Sequence, residues 1–266
     1  MRLKDLIGQG DVLFITFDSL RYDVAARAQT PLLRQWLPNG QWQARHSPGS
    51  FTYAAHHAFF AGFLPTPLTG PQGEERLFAA RFEGSRTIGP QTFVFEEPDL
   101  MAALAGRGYH TICIGGVGFF NQLTPLSQVL PQRFAESHWT PAMGVTSPTS
   151  TEVQIALAVQ RLQALPPQQR VFLFINISAI HTPNYFYLPG ATQDSLASHQ
   201  AALEYVDGHL GVLFQTMQRR APTYAILCSD HGTAYGEDSY QGHRLAHPSV
   251  WTVPYAEFLL GGVLRL

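Results

Sequence analysis

Val12-Leu13-Phe14-Ile15-Thr16-Phe17-Asp18 decides the fold: six apolar or β-branched residues, then a carboxylate. A run this short, without a polar face, fits a strand in a sheet covered on both sides. Thr111–Ile114 (TICI), Val171–Ile177 (VFLFINI) and Ala225–Cys228 (AILC) have the same form, and a fifth run, Glu257–Leu260, follows Pro254. Helical patterns lie between them. Asp99–Arg107 leads through Gly108 into the second run, and Thr151–Leu165 leads through Pro166 and Pro167 into the third. The longest pattern runs from about Asp194 to Arg220. Its Leu196, Leu203, Val206, Leu210, Leu213 and Met217 recur mostly at three- and four-residue steps, so one face is buried. Strands alternating with helices predict an α/β fold: a largely parallel central sheet with helices on both faces. The chain shows no internal repeat, and residues 1–266 read as a single domain. Thr66–Gln91 and Gly116–Ser150 are rich in Gly, Pro, Ser and Thr and read as long surface excursions.

The 266 residues are 45% hydrophobic and 14% charged, which disfavours long disorder, a coiled coil or a collagenous fibre. The formal net charge is −2 and the basic residues form no run, so a dedicated nucleic-acid binder has little electrostatic support. Two cysteines, Cys113 and Cys228, cannot build a disulfide framework or a four-thiolate zinc site; they suit a reducing compartment and read as small core residues. The apolar run at Val12–Phe17 is too short for a membrane span, and no secretory signal precedes it. The expectation is a soluble, cytoplasmic protein that acts on a small molecule, without a nucleic-acid or membrane partner.

In an open α/β sheet, ligands bind beyond the carboxyl ends of the strands. Here the first strand ends in Asp18, and the fourth ends in Ser229-Asp230-His231-Gly232. An Asp-His pair after one buried strand and an Asp after another form a candidate shell for a divalent metal. His181 follows the third strand in SAIHTP, and His243 lies in QGHR. A short helix is predicted after Thr52 in SFTYAAHHAFFAG, stopped by Gly62. Thr52 then sits at or beside the helix N-terminus, where the dipole and free N–H groups favour anions. A hydroxyl is a poor nucleophile at neutral pH, and a metal combined with this field is a physical way to activate it. Thr52 also reads as a plain N-cap, and Ser50 is the rival nucleophile. His56 and His57 read as partly buried helix residues, and Arg21 and Asp23 as structural.

These residues resemble the catalytic domain of the alkaline phosphatase superfamily, in its sulfatase-like branch. The matching pieces are DVLFITFDSLRYD (Asp11–Asp23), FTYAAHHAFFAGFLP (Phe51–Pro65), LMAALAGRGYHTICIGG (Leu100–Gly116), FLFINISAIHTP (Phe172–Pro183), ALEYVDGHLGVLF (Ala202–Phe214) and the segment from Ala225 to Leu260 that holds SDHG and GHR. They occur in the family's order and span nearly the whole chain. The resemblance implies an alkaline-phosphatase-like sandwich, with Asp18, Asp230 and His231 as metal ligands. It implies that Thr52 is the nucleophile and also touches the metal. It places His181 and His243 on the transferred group, the leaving group or a second metal. The spacing from Asp230 to His243 is similar to that of phosphoethanolamine transferases, which also use Thr.

Departures narrow the reading. Sulfatases carry C/S-x-P-x-R, with the Cys or Ser converted to formylglycine; here the positions read Thr52, Ala54 and His56, and Thr cannot be converted. Ser19 stands where many sulfatases have a second Asp, and Gly116 where they have a substrate Lys; Lys4 is the only lysine in the chain. No acid precedes His181, which argues against a complete second metal site. The expected activity is therefore metal-dependent hydrolysis or transfer of phosphate esters through Thr52. Zinc or manganese fits the donor set best, with magnesium or calcium as alternatives. The rival expectation is a non-catalytic metal-binding or regulatory module that keeps the frame.

Overall fold

The computed structural model describes residues 6–62 and 99–261. Seven strands form one sheet: β1 (Asp11–Phe17), β2 (Gln43–His46), β3 (His110–Ile114), β4 (Glu136–His138), β5 (Val171–Ile177), β6 (Thr223–Ser229) and β7 (Thr252–Leu260). Their order is β2-β7-β6-β1-β5-β3-β4. β6, β1, β5, β3 and β4 run parallel, whereas β7 is antiparallel to β6, and β2 to β7. The largely parallel α/β architecture expected from the sequence is thus present, with an antiparallel pair at one edge.

Strand alternation sorts the apolar residues into two cores, one on each face. Leu13, Ile15 and Phe17 of β1 and Leu173, Ile175 and Ile177 of β5 pack in one core with α1 (Tyr22–Arg27), α2 (Pro31–Trp36), α5 (Ser150–Ala164) and α6 (Leu196–Arg220). Val12 and Phe14 of β1 and Phe172 and Phe174 of β5 face the other core. There they meet Phe60 of α3 (Thr52–Ala61) and Met101 and Leu104 of α4 (Leu100–Ala105). Gly62, with φ +79°, ends α3 in the left-handed region. Cys113 and Cys228 are buried free thiols in the second core.

Two expectations change, and one strand goes unannounced. Gly116–Ser150 is no mere surface excursion: it supplies β4 and buries Phe120, Leu130, Phe134 and Met143. Its strand is three residues long and polar (Glu-Ser-His), so no apolar run announces it. The last strand starts at Thr252, before Pro254. Its ladder with β6 begins only at Tyr255, so the missing proline N–H breaks no bond on that side. β2 is exposed along its whole length and carries no buried pattern to read. Thr66–Gln91 lies outside the described residues. Among those described, no helix is long and apolar enough to cross a membrane.

Candidate active site and metal centre

The register of the central strands builds the site. Phe17 of β1 pairs with Ser229 of β6 in parallel, so the next residues, Asp18 and Asp230, stand side by side beyond the sheet. Their side chains and that of His231 converge so that one ligand atom of each lies within 4.8 Å of the others. All three residues are buried. The loop that carries them is tightly held. Gly232 N–H donates to the Val250 carbonyl at 2.7 Å, and a Cβ on Gly232 would come within 2.0 Å of the Ser249 oxygen. Only glycine permits that approach, which gives the glycine of SDHG a packing role.

Protons can be assigned at this candidate metal site. His231 Nδ1 lies 2.8 Å from the Gly232 carbonyl and must donate to it, leaving a lone pair on Nε2. That Nε2 lies 3.8 Å from Asp18 Oδ1 and 3.6 Å from Asp230 Oδ2. Asp230 Oδ1 accepts from the backbone N–H groups of Ser19 (3.2 Å) and His231 (2.9 Å), but its Oδ2 has no hydrogen-bond partner. An orphaned carboxylate oxygen, a second carboxylate and an imidazole lone pair around one buried point fit a divalent cation. Burial opposes ionisation of Asp18, yet the imidazoles of His181 and His231 and the Asn176 amide hold its carboxyl below the usual range. Asp230 is driven well up by burial and by the neighbouring Asp18 charge.

Thr52 is the first residue of α3, and Phe51 occupies the N-cap position without a side-chain cap bond. The Thr52 hydroxyl is therefore not spent as a cap. It lies 3.3 Å from Asp18 Oδ2 and 3.4 Å from His231 Nε2. Ser50 instead joins the neighbourhood through its carbonyl, which accepts from Arg244 N–H at 2.8 Å. A cavity of about 400 Å³ is lined by Thr52, His181, His243 and Arg244, together with the apolar Val117, Phe119, Leu126 and Val145. His243 packs on His231 with ring centroids 4.5 Å apart, and His181 lies 5.7 Å from His243. Burial and these two neighbours push His243 down to about 4.

The structure thus brings Asp18, Thr52, Asp230 and His231 into one buried cluster and sets His181 and His243 beside it. It also adds three residues to which the sequence assigned no part in the site. Asn176 of β5 donates to Asp18 Oδ2 at 3.2 Å; its signal was a lone amide inside an apolar run. Arg244 lines the cavity and stacks on the Phe51 ring at 4.9 Å. His56 is fully buried rather than partly so, 3.7 Å from Asp230 Oδ2, and burial pushes it down to about 4. Arg21 is structural as expected: it pairs with Asp23 and Glu237 and donates to the Thr233 carbonyl, bracing the loop after His231.

Two sulfatase positions acquire a physical account. A Cβ on Gly116 would lie 2.2 Å from the Asn176 carbonyl oxygen, so this backbone leaves no room for a lysine there. Ser19, at φ +67°, turns its hydroxyl onto Asp18 Oδ1 at 3.1 Å.

The sequence pattern of the sulfatase family matches residues 11–255. No curated protein sequence matches the chain. Among solved structures, the C-terminal periplasmic domain of EptC from Escherichia coli, in complex with Zn, gives a TM-score of 0.64 at 12% identity, over 94% of this chain and 72% of that one. The soluble domain of lipooligosaccharide phosphoethanolamine transferase A from Neisseria meningitidis gives 0.63 at 12% identity, over 97% and 78%. The lipoteichoic acid synthase LtaP from Listeria monocytogenes gives 0.62 at 13% identity, over 95% and 66%. At these identities the structures speak for the fold, and the family pattern carries the assignment: the chain belongs to the sulfatase family, within the alkaline phosphatase superfamily.

Proposed function

We propose that the protein is a metal-dependent phosphoryl-transfer enzyme that uses Thr52 as its nucleophile. One observation carries the reading: the Thr52 hydroxyl, released from capping, faces Asp18 and His231 at the edge of a cavity. Asp18, Asp230 and His231 would hold the divalent ion. When bound, such an ion supplies Lewis acidity, which lowers a hydroxyl pKa and offsets charge on the reacting group. Two carboxylates and one imidazole suit zinc or manganese, with magnesium or calcium as alternatives.

The chain's own residues account for the rest. Asp18 Oδ2 accepts the Thr52 hydrogen bond and orients Oγ1. Oγ1 attacks phosphorus in line, passing its hydrogen to Asp18 Oδ2, as the bond to the leaving oxygen breaks. His243, neutral near pH 7, offers an N–H to a non-bridging oxygen, and His181 delivers the proton to the leaving oxygen. Water or an acceptor alcohol then takes the group from Thr52. Phosphate esters are the substrate class, because a threonine cannot supply formylglycine and Gly116 leaves no space for a substrate lysine.

Turnover of p-nitrophenyl phosphate and bis-p-nitrophenyl phosphate with added zinc or manganese tests this. The wild type should turn over at least one of them faster than p-nitrophenyl sulfate, and Thr52→Ala should turn over neither. An active Thr52→Ala protein, or a preference for the sulfate, would overturn the reading.

A further inference from the structure

Beneath Thr52 lies a chain of hydrogen bonds whose every direction is fixed. A backbone N–H can only donate, so the Val117 N–H, 3.0 Å from Asn176 Oδ1, identifies that atom as the amide oxygen. The Asn176 nitrogen then carries two hydrogens. It donates one to Asp18 Oδ2 (3.2 Å) and one to Thr16 Oγ1 (3.3 Å). The Thr52 carbonyl can only accept, so His56 Nδ1, 2.7 Å away, carries a hydrogen. The neutral ring then has a lone pair on Nε2, which accepts the Thr16 hydroxyl hydrogen at 3.0 Å. The circuit closes on the same carboxylate oxygen, because Asp18 Oδ2 also receives the Thr52 hydroxyl.

We propose that His56, fixed as its Nδ1–H tautomer between the Thr52 carbonyl and the Thr16 hydroxyl, is a positioning residue that locks the backbone of Thr52 against Asp18. The inference rests on the reading of Thr52 as nucleophile. Thr16, Asp18, His56 and Asn176 have no exposed surface, so water cannot substitute for a missing member. Each broken link leaves a buried polar group unsatisfied. The ring cannot turn away either, because Phe60, Phe120 and Phe174 surround it at centroid distances of 5.2–5.9 Å. His56 stands four residues after Thr52, where the sulfatase motif has its arginine. An arginine has donors only and could not accept from Thr16. Thr16 and His56 therefore work as a pair.

The test starts with nitrogen-15 NMR of the histidine-labelled full chain at neutral pH, which is independent of turnover. His56 should show a protonated Nδ1 and an unprotonated Nε2; the opposite tautomer, or an imidazolium, overturns the proposal whatever the enzyme does. Next come Thr16→Val, His56→Leu and His56→Asn, each checked for folding and metal content. Thr16→Val and His56→Leu should lower kcat on p-nitrophenyl phosphate about 10- to 100-fold with little change in KM, the range seen when outer partners of ligands are removed. His56→Asn, which restores a donor to the Thr52 carbonyl, should recover part of that loss. Amide hydrogen exchange over residues 52–57 should speed up in His56→Leu and slow again in His56→Asn, a readout that survives if no substrate is found. Wild-type exchange in His56→Leu overturns the proposal. A turnover-competent Thr52→Ala protein with the predicted tautomer would instead overturn the nucleophile reading and leave the buried circuit standing.

Discussion

Asp11 and Asp18 stand at opposite ends of β1, both without exposed surface, and the protein meets them in opposite ways. Asp11 accepts the Val171 N–H at 3.0 Å and pairs with Arg170 (3.2 Å) and Arg220 (3.4 Å). Arg220 is itself tied to the carbonyls of Leu162 and Gln169, so this end is a closed electrostatic clamp. Beyond the other end, Asp18 and Asp230 lie together among imidazoles and neutral donors. Among the described residues no arginine or lysine pairs with either. The fold thus supplies counter-cations where a carboxylate is structural. Where two carboxylates and an imidazole lone pair converge, it leaves a donor set that could hold a cation.

Mutations should separate the two ends by kind as well as by size. The largest effect belongs to the carboxyl end. Thr52→Ala should lower turnover by about three orders of magnitude or more while metal content and melting temperature stay near wild type, because removing a nucleophile affects chemistry and not packing. Thr52→Ser should keep partial activity, since it retains the hydroxyl and loses only the methyl that restricts its rotamer. Next is Asp11→Ala, which leaves two guanidiniums without their carboxylate. It should cost about 3–5 kcal/mol in a denaturant titration while kcat per folded molecule is unchanged. A large fall in kcat without loss of stability would erase the distinction between the ends.

Gly116→Ala should cost about 1–3 kcal/mol, because its Cβ meets the Asn176 carbonyl and the strand must shift. It should also slow turnover, since Asn176 holds Asp18. A fully stable, fully active variant would contradict the account of that position. The smallest effect concerns Glu237. Burial opposes its ionisation, but the Arg21 guanidinium outweighs this and holds the carboxyl down at about 2. A depressed folded pKa contributes stability above the ordinary value of 4.5, and that contribution is lost as pH falls toward about 2. Melting temperatures between these limits should fall more steeply in the wild type than in Glu237→Gln, and the two curves should converge near the lower limit. Parallel curves would rule out this linkage.

Much of this was legible in the sequence for physical reasons. The strands of the central parallel sheet are apolar on both faces, so β1, β3, β5 and β6 stand out as runs, and a charged residue just past such a run needs a partner. Hence Asp18, Asp230 and His231 could be read together, and the helix at Thr52 was marked by its terminal Gly62. What stayed hidden depends on register or on long-range packing. Asn176 becomes significant only when β5 is aligned with β1, which sets it beside Thr16. His56 and His57 are adjacent on α3, and only the packing shows which ring lies beneath the candidate metal site. β4 is too short and polar to announce itself, and Arg244 is placed by a loop whose backbone reaches Ser50.

The claim that the carboxyl end of β1 binds a metal while the amino end does not is tested most directly by elemental analysis of protein purified without chelator. The account predicts one divalent ion per chain in the wild type and in Asp11→Ala, and none in the Asp18→Ala, Asp230→Ala double variant. Undiminished metal in the folded double variant would contradict it.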